Sequence, residues 1–491
     1  MQASQYQALV GLQDIRTIAH LNREAIRDIL RAKTGDQQLE LDSLGELEDM
    51  SGTNDAFNSS ICSMEVTAKM EKADDAKKTF YFVIKSPPKS SFIKMTHKIT
   101  RPFLNEVTWY LVSSPHLAPS PLSSPPARTC WGRWPSWSPP RRCPALPSTP
   151  SAPWSTTRTG APLPSSPHLP SNYYSGEAAT SCSSCPWFCW LPLRRAEAGV
   201  LVMENVKRRG FAMFDKMRVL PLDHFRLAIT NLAHFHGRWL AYRWLAAAGQ
   251  LGESAWTPAQ FQAALNTQKR VPKFVYNQLM DGTAKTVRRI LRLEGRQDIT
   301  ERVDKFFAVT VRQQLDTLLG NVSTPVDTCC HGDFWSNNIM FKADSEGRVV
   351  DTVIVDFQLI NYGHPAYDVL YMFYISTDLE FRDQHMAACL DTYWDTLSLY
   401  LDQFKPKDLV YDKAAFLAHI QEYKTVAFVL ATTLLPNVLS GSQLDPDGFL
   451  ALREMQRKQA AELEDPANPN SREIKRRVVG LCEELTRDGV I

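Results

Sequence analysis

The run His331-Gly332-Asp333-Phe334-Trp335-Ser336-Asn337-Asn338 places an aspartate five residues ahead of an asparagine, and Val355-Asp356-Phe357 follows it. These residue types in this order suit phosphoryl transfer from ATP. In that reaction one carboxylate orients the attacking hydroxyl and accepts its proton, while a second acidic group and an amide oxygen hold Mg2+ against the phosphates. Mg2+ takes oxygen ligands at about 2.0–2.1 Å and uses only one or two carboxylates besides phosphate and water. Asp333 is therefore the candidate base, with Asn338 and Asp356 as candidate metal ligands. A lone His-Gly-Asp or Asp-Phe says little; the ordered set carries the kinase logic of a base, an amide ligand and a metal carboxylate. If Asp333 and Asp356 merely capped turns, their shared spacing would have no reason. His331 reads as a brace of the loop through hydrogen bonds rather than as a titrating group.

These groups need strands to bring them together. Thr328 to Asp333 leads into the loop, and Ile339–Lys342 and Val349–Asp356 pair around a turn containing Gly347, which returns Asp356 to Asp333. Earlier in the chain, residues 5–32 have helical spacing, with Leu9, Ile15, Ile18, Leu21, Ile26 and Leu30 as the apolar set. Ser51–Ser60 is a polar loop, Ile61–Met70 and Thr79–Lys85 read as a hairpin, and Thr100–Val112 returns to helical spacing. Val200–Glu204 is a short buried strand, and Leu222–Ala248 and Ile299–Leu319 are helices. Beyond Tyr367 the pattern is almost all helical: 366–376, 381–402, 412–438, 447–464 and 471–487. The fold class is α/β (α+β), with a small sheet-containing lobe followed by a large helical one.

Ser113–Pro192 does not fit that order. It holds 18 of the 31 prolines, six of the 12 tryptophans and five of the 10 cysteines, with no lysine or aspartate. A folded core does not tolerate proline at this density, and natural linkers are poor in Trp and Cys. The composition fits neither: the stretch is a genuine, disordered Pro/Ser-rich insertion, or else a GC-rich stretch translated in a wrong frame or a retained intron. A transcript in phase through the stretch would exclude the second origin. Ordinary sequence resumes near Gly199. Cys182, Cys185 and Cys189 have a zinc-like spacing but no fourth ligand, and Cys329 with Cys330 reads as a pair of buried thiols.

Bulk properties narrow the function classes. The chain has 491 residues, 44% of them hydrophobic and 22% charged, which excludes wholesale disorder and fibrous classes. A net charge of +2 gives no electrostatic footprint for nucleic acid or anionic lipid. No secretory signal is read at the N-terminus, and the most apolar run, Thr425–Leu439, is too short to span a membrane and is interrupted by Pro436. The expected location is cytoplasmic, with no nucleic acid, no membrane span and no protein partner.

HGDFWSNNIMF, then VDFQ, then HPAYDVLYMFYIS resembles the ecdysteroid kinase-like family, also called choline-kinase-like kinases, related to aminoglycoside and choline phosphotransferases. The resemblance runs over roughly 50–112 and 199–440 and implies a bilobal protein kinase-like fold. It further implies an ATP- and Mg2+-dependent kinase of a small alcohol, in this family a steroid or another lipophilic one. By position, Lys85 would grip the α- and β-phosphates and Glu106 would pair with it. Asn58, Ser59 and Ser60 would cover the phosphates through backbone N–H groups. Glu204 and Val206 would bond adenine at the hinge. His234 and His236 would pack or brace, and Asp368 would cap a helix and anchor the catalytic loop. Trp394, Tyr393, Tyr400 and Phe428 are candidates to line the acceptor pocket. The Ala-Pro-Glu segment of protein kinases is absent, which argues against a protein substrate. The implied domains are 1–50, a helical segment; 51–204, the small lobe; 205–440, the large lobe; and 441–491, a helical extension. The rival reading is an inactive pseudokinase or nucleotide-binding protein whose small lobe is disrupted by Ser113–Pro192.

Overall fold

The computed structural model describes residues 21–49, 60–70, 77–86, 188–189, 201–251, 257, 259–260, 273–311, 324–440 and 449–491. The expected helix over Thr100–Val112, with Glu106, lies outside these residues, as do Asn58, Ser59 and all of Ser113–Pro192 except Phe188 and Cys189.

The first described element is helix α1, Arg23–Thr34. Asn22 caps it by accepting from Ala25 N at 2.9 Å, and Gly35 closes it in the left-handed region. Ile26, Ile29 and Leu30 lie on one face and are fully buried. That face covers a sheet of strands β1 (Glu40–Leu44), β2 (Glu48–Asp49), β3 (Ser60–Lys69), β4 (Lys77–Ser86), β5 (Phe188–Cys189) and β6 (Leu201–Glu204), in the order β1-β3-β4-β6-β5 with β2 also on β3. β3 and β4 pair antiparallel, Met64 opposite Phe82 and Val66 opposite Phe80. These side chains, with Ile84 and Val202, meet α1 in the core of the small lobe. The period of two along a strand then turns Lys85 away from Ile84, onto the opposite face.

Two features of this lobe depart from the sequence reading. The described part of residues 1–50 is no separate helical segment, because α1 and β1 belong to the same sheet-and-helix core as β3 and β4. Strand structure also returns earlier than Gly199: Phe188 sits opposite Met203 and Cys189 opposite Val202.

β7 (Phe211–Met213) follows, and then the long helix α2, Leu222–Ala247, buried around most of its circumference. α3 (Lys273–Leu293) was not read from the sequence. Its buried set Thr283, Val287, Ile290 and Leu291 keeps helical spacing, but arginines and lysines crowd the positions between. Of the helix expected over Ile299–Leu319, the described part is α4, Gln297–Lys305, passing into a π turn at Phe306–Thr310; residues 312–319 lie outside the described ones. Strand β8 (Thr328–Cys330), the hairpin β9 (Ile339–Ala343) with β10 (Val349–Ile354), and β11 (Asn361–Gly363) come next. They form two small sheets, β10-β9-β7 and β8-β11.

The chain ends in helices α5 (Ala366–Ser376), α6 (Leu379–Phe404), α7 (Lys413–Val438), α8 (Phe449–Glu464) and α9 (Pro469–Arg487). Asp378, Asp412 and Asn468 cap α6, α7 and α9 through side-chain oxygens. α9 is not peripheral: Ile474, Val478, Leu481 and Leu485 are fully buried in the main core with α2, α6 and α7. The molecule is mixed α/β, a small sheet-containing N-terminal part followed by a larger helical C-terminal part, as the sequence led one to expect. No described helix is long and apolar enough to cross a membrane.

Candidate active site

The paired small sheets set the site. Residues 331–338 leave β8 and enter β9, while residues 355–360 leave β10 and enter β11. Cys330 pairs with Asn361 at one end, and Ile339 pairs with Ile354 at the other. Two loops spanning the same pair of sheets in opposite directions must run side by side. Val355 N donates to Asn338 O at 2.9 Å, and His331 Nε2 meets Val355 O at 3.0 Å. This crossing brings Asp356 beside Asp333 and Asn338.

Each loop has one residue in the left-handed region. Gly332 sits at φ +83°, where a Cβ would stand 2.0 Å from Leu359 O, so only glycine fits between the loops. Asp356 is at φ 66°, ψ 70°, the only non-glycine residue with positive φ among those described. That backbone costs an L-residue about 1–2 kcal/mol, with Asp and Asn the side chains that tolerate it best. Phe357 turns inward against His331, ring centroids 4.9 Å apart, and so keeps the Asp356 carboxylate on the opposite, accessible side.

Asp333 is half-buried, and desolvation pushes its carboxyl above the usual carboxylate range. Asn338 Nδ2 donates to Asp333 O and Oδ2, both at 2.8 Å. This commits the amide nitrogen and leaves Asn338 Oδ1 as the atom that could bind a metal. From the small lobe, Lys85 Nζ reaches Asp356 Oδ1 at 3.0 Å, with Lys85 itself 3% exposed. A lysine from β4, an aspartate after β10 and the Asp333–Asn338 pair therefore meet at one place. Asp356 and Asn338 offer oxygen donors with no sulfur or imidazole among them, a set that fits Mg2+. Ser60 starts β3 opposite Ser86. Glu204 ends β6 and Val206 opens a 3-10 turn, flanking Asn205, whose N–H bonds Tyr81 O at 2.9 Å. The Glu204 carboxylate lies near Arg209 at 3.5 Å, and burial raises its pKa.

The loop is braced from beneath. Asp368, wholly buried, accepts from His331 N at 2.6 Å, Gly332 N at 2.9 Å and His236 Nε2 at 3.1 Å. It does not cap α5: the cap position is Pro365, and the carboxylate is spent on the loop. His236 Nδ1 meets Tyr393 OH at 2.7 Å, and His234 Nδ1 meets Tyr400 OH at 2.9 Å. His331 Nδ1 accepts from Asp333 N at 3.3 Å, which makes Nε2 the protonated nitrogen facing Val355 O.

His236, Cys330 and Asp368 lie close enough to hold a metal. Both nitrogens of His236 are already engaged, and the Cys330 thiol, its pKa raised by burial, donates to Gly363 O and His364 O. The cluster is a brace.

The structure also corrects the acceptor-pocket candidates. Tyr393 and Phe428 are fully buried and Tyr400 lies against Gly237, so these three are core packing, while Trp394 is half-buried and stacks on Phe416. Two site residues escaped the sequence reading. Tyr371 donates its hydroxyl to Asp333 Oδ1, and Ser376 Oγ accepts from Ser336 N at 3.0 Å. Helical spacing held a signal for Tyr371, which lies three residues beyond Asp368 and so shares its face.

Residues 181–405 match the family model described as Ecdysteroid kinase-like family. The match starts just ahead of Phe188–Cys189 and ends with α6; the resemblance read over 50–112 and over 406–440 lies outside it. Solved structures similar to this chain include the crystal structure of choline kinase LicA from Streptococcus pneumoniae, at 11% identity, with 89% of this chain and 99% of that one covered and a TM-score of 0.29. No curated protein matches.

Proposed function

We propose that this chain, whose residues 181–405 are ecdysteroid kinase-like, is a small-molecule kinase that moves the γ-phosphoryl group of ATP to the hydroxyl of a small alcohol. The observation that supports this reading is the convergence of Lys85, Asp333, Asn338 and Asp356 from separate elements. The alcohol oxygen forms a bond to the γ-phosphorus, the bond to the β–γ bridging oxygen breaks, and its electron pair leaves with ADP. The hydroxyl proton passes to the Asp333 carboxylate, whose raised pKa suits a proton acceptor. Asn338 and Asp356 would hold Mg2+, which when bound neutralises charge on the phosphates. Lys85 would grip the α- and β-phosphates with Glu106 behind it. Asn58, Ser59 and Ser60 would cover them, and the backbones of Glu204 and Val206 would hold adenine. Positioning and charge neutralisation carry most of such a reaction, which suits so short a set of polar groups.

The family's name makes a steroid alcohol the first acceptor to try. ATP consumption measured against sterols, choline analogues and sugars tests the reading. Asp333→Asn is expected to lower turnover by about 10²- to 10⁴-fold while Mg-ATP still raises the melting temperature; unchanged turnover would refute the role of Asp333. Mg-ATP binding with no phosphorylation across the panel would favour a nucleotide-binding pseudokinase instead.

A further inference from the structure

The Asp333 carboxylate has two holders, and only one belongs to its own loop. Oδ2 takes the Asn338 amide, while Oδ1 takes the hydroxyl of Tyr371 from α5. Tyr371 is 4% exposed, and burial pushes its phenol well above the ordinary value, so it stays protonated and always donates. Tyr367, one turn earlier, stacks on Tyr371 with ring centroids 6.0 Å apart and donates to Gly332 O at 3.4 Å. Asp368 on the same helix holds the backbone N–H groups of His331 and Gly332. α5 thus grips the loop through four residues: Tyr367, Asp368 and Ser376 hold its backbone, and Tyr371 holds the carboxylate. The Tyr371 bond acts on the side-chain torsions of Asp333 rather than on the loop backbone.

We propose that Tyr371 is a positioning residue for the phosphoryl-transfer step, holding the Asp333 carboxylate in the one orientation that faces the attacking hydroxyl. The proposal rests on the phosphotransferase reading above. A carboxylate held by two donors on its two oxygens cannot rotate without breaking one of them, and general-base catalysis is sensitive to small misplacements. Tyr371 does not touch phosphate or alcohol in this scheme, so its loss reaches kcat and leaves the KM for ATP and for alcohol in place.

Tyr371→Phe removes the hydroxyl and keeps the ring. A hydrogen bond to a charged group corresponds to a roughly 10- to 100-fold fall in kcat, with both KM values changed less than about twofold. Tyr374→Phe is the matched control: it lies on the same helix, is fully buried, and its hydroxyl has no hydrogen-bond partner among the described residues. It should leave kcat unchanged. A second readout needs no turnover. A buried tyrosine hydroxyl donating to a carboxylate gives a downfield proton resonance, expected in the wild-type protein and in Tyr374→Phe but absent from Tyr371→Phe. A missing resonance in the wild type, or a Tyr371→Phe enzyme with wild-type kcat, overturns the proposal. So does a fall in kcat matched by Tyr374→Phe, which would make the effect one of packing. A wild-type chain that shows the resonance yet phosphorylates no alcohol sinks the phosphotransferase reading, and the positioning role with it, while the hydrogen bond stands.

Discussion

At the scale of single residues, the site depends on backbone that most side chains cannot adopt. Gly332 combines a left-handed φ with Leu359 O where a Cβ would stand. Gly332→Ala must meet both the conformational penalty and the collision, so it should lower stability by more than about 2 kcal/mol, read from the urea midpoint. A stability within a few tenths of wild type would mean that the two loops are not packed as described. The motif made Gly332, Asp333, Asn338 and Asp356 legible, because each contributes chemistry that few residue types can replace. Tyr371 was not legible as a partner of Asp333, because a tyrosine in an apolar helix reads as core until a carboxylate is placed opposite its hydroxyl.

At the scale of elements, α5 is the device that holds the loop. Asp368 is a buried acceptor for two backbone N–H groups and an imidazole. Asp368→Asn replaces one acceptor oxygen with an NH2 group that confronts an N–H donor. Hydrogen bonds to charged groups contribute about 1.5–3 kcal/mol each, so the variant should lose at least that much stability in urea and should lower turnover together with it. Loss of turnover with no change in the urea midpoint would show that Asp368 does not anchor the loop. The helices of this half were readable nearly end to end, since the windows 366–376 and 412–438 coincide closely with Ala366–Ser376 and Lys413–Val438. Their apolar spacing is unbroken, and the second of them starts at an aspartate cap, Asp412, whose side chain accepts from Ala415 N. α3 escaped because its charged residues hide a narrower stripe, and β7 because three residues carry no periodicity.

At the scale of the molecule, the C-terminal helix is tied to the site through α5 and α6. Arg477, 1% exposed, donates to Ile375 O at the end of α5 and to Met217 O, and it pairs with Glu473. Arg382 on α6 pairs with Glu484 on α9, and both are almost wholly buried. Removing one partner of such a pair strands the other charge, so Glu484→Ala should cost about 3–5 kcal/mol, measured by denaturant unfolding; a cost below about 1 kcal/mol would place the pair in solvent. Acid is a second whole-molecule probe. Burial lowers the pKa of His234 to about 4 and that of His364 to about 3, from an ordinary 6.5. Between pH 6.5 and about 4 the unfolded chain binds protons that the folded chain refuses, so stability falls as pH drops through that window. The double variant His234→Gln, His364→Gln should show a shallower fall in urea midpoint between pH 7 and pH 4.5 than the wild type; an identical slope would mean that these imidazoles protonate without cost.

The sequence by itself determined the motif on which the proposed chemistry rests and the order of the elements, because both are local: residue types at short spacing and apolar periodicity. It also determined that Ser113–Pro192 departs in composition from everything around it. Only the tertiary structure decided that residues 21–49 belong to the small-lobe core, that α9 is buried in the large one, and that Tyr393, Tyr400 and Phe428 are packing rather than pocket wall. It alone brought Lys85 to Asp356 and Tyr371 to Asp333, across 271 and 38 residues of chain. Contacts of that kind depend on which faces are buried against each other, and burial belongs to the packed whole rather than to any window of sequence.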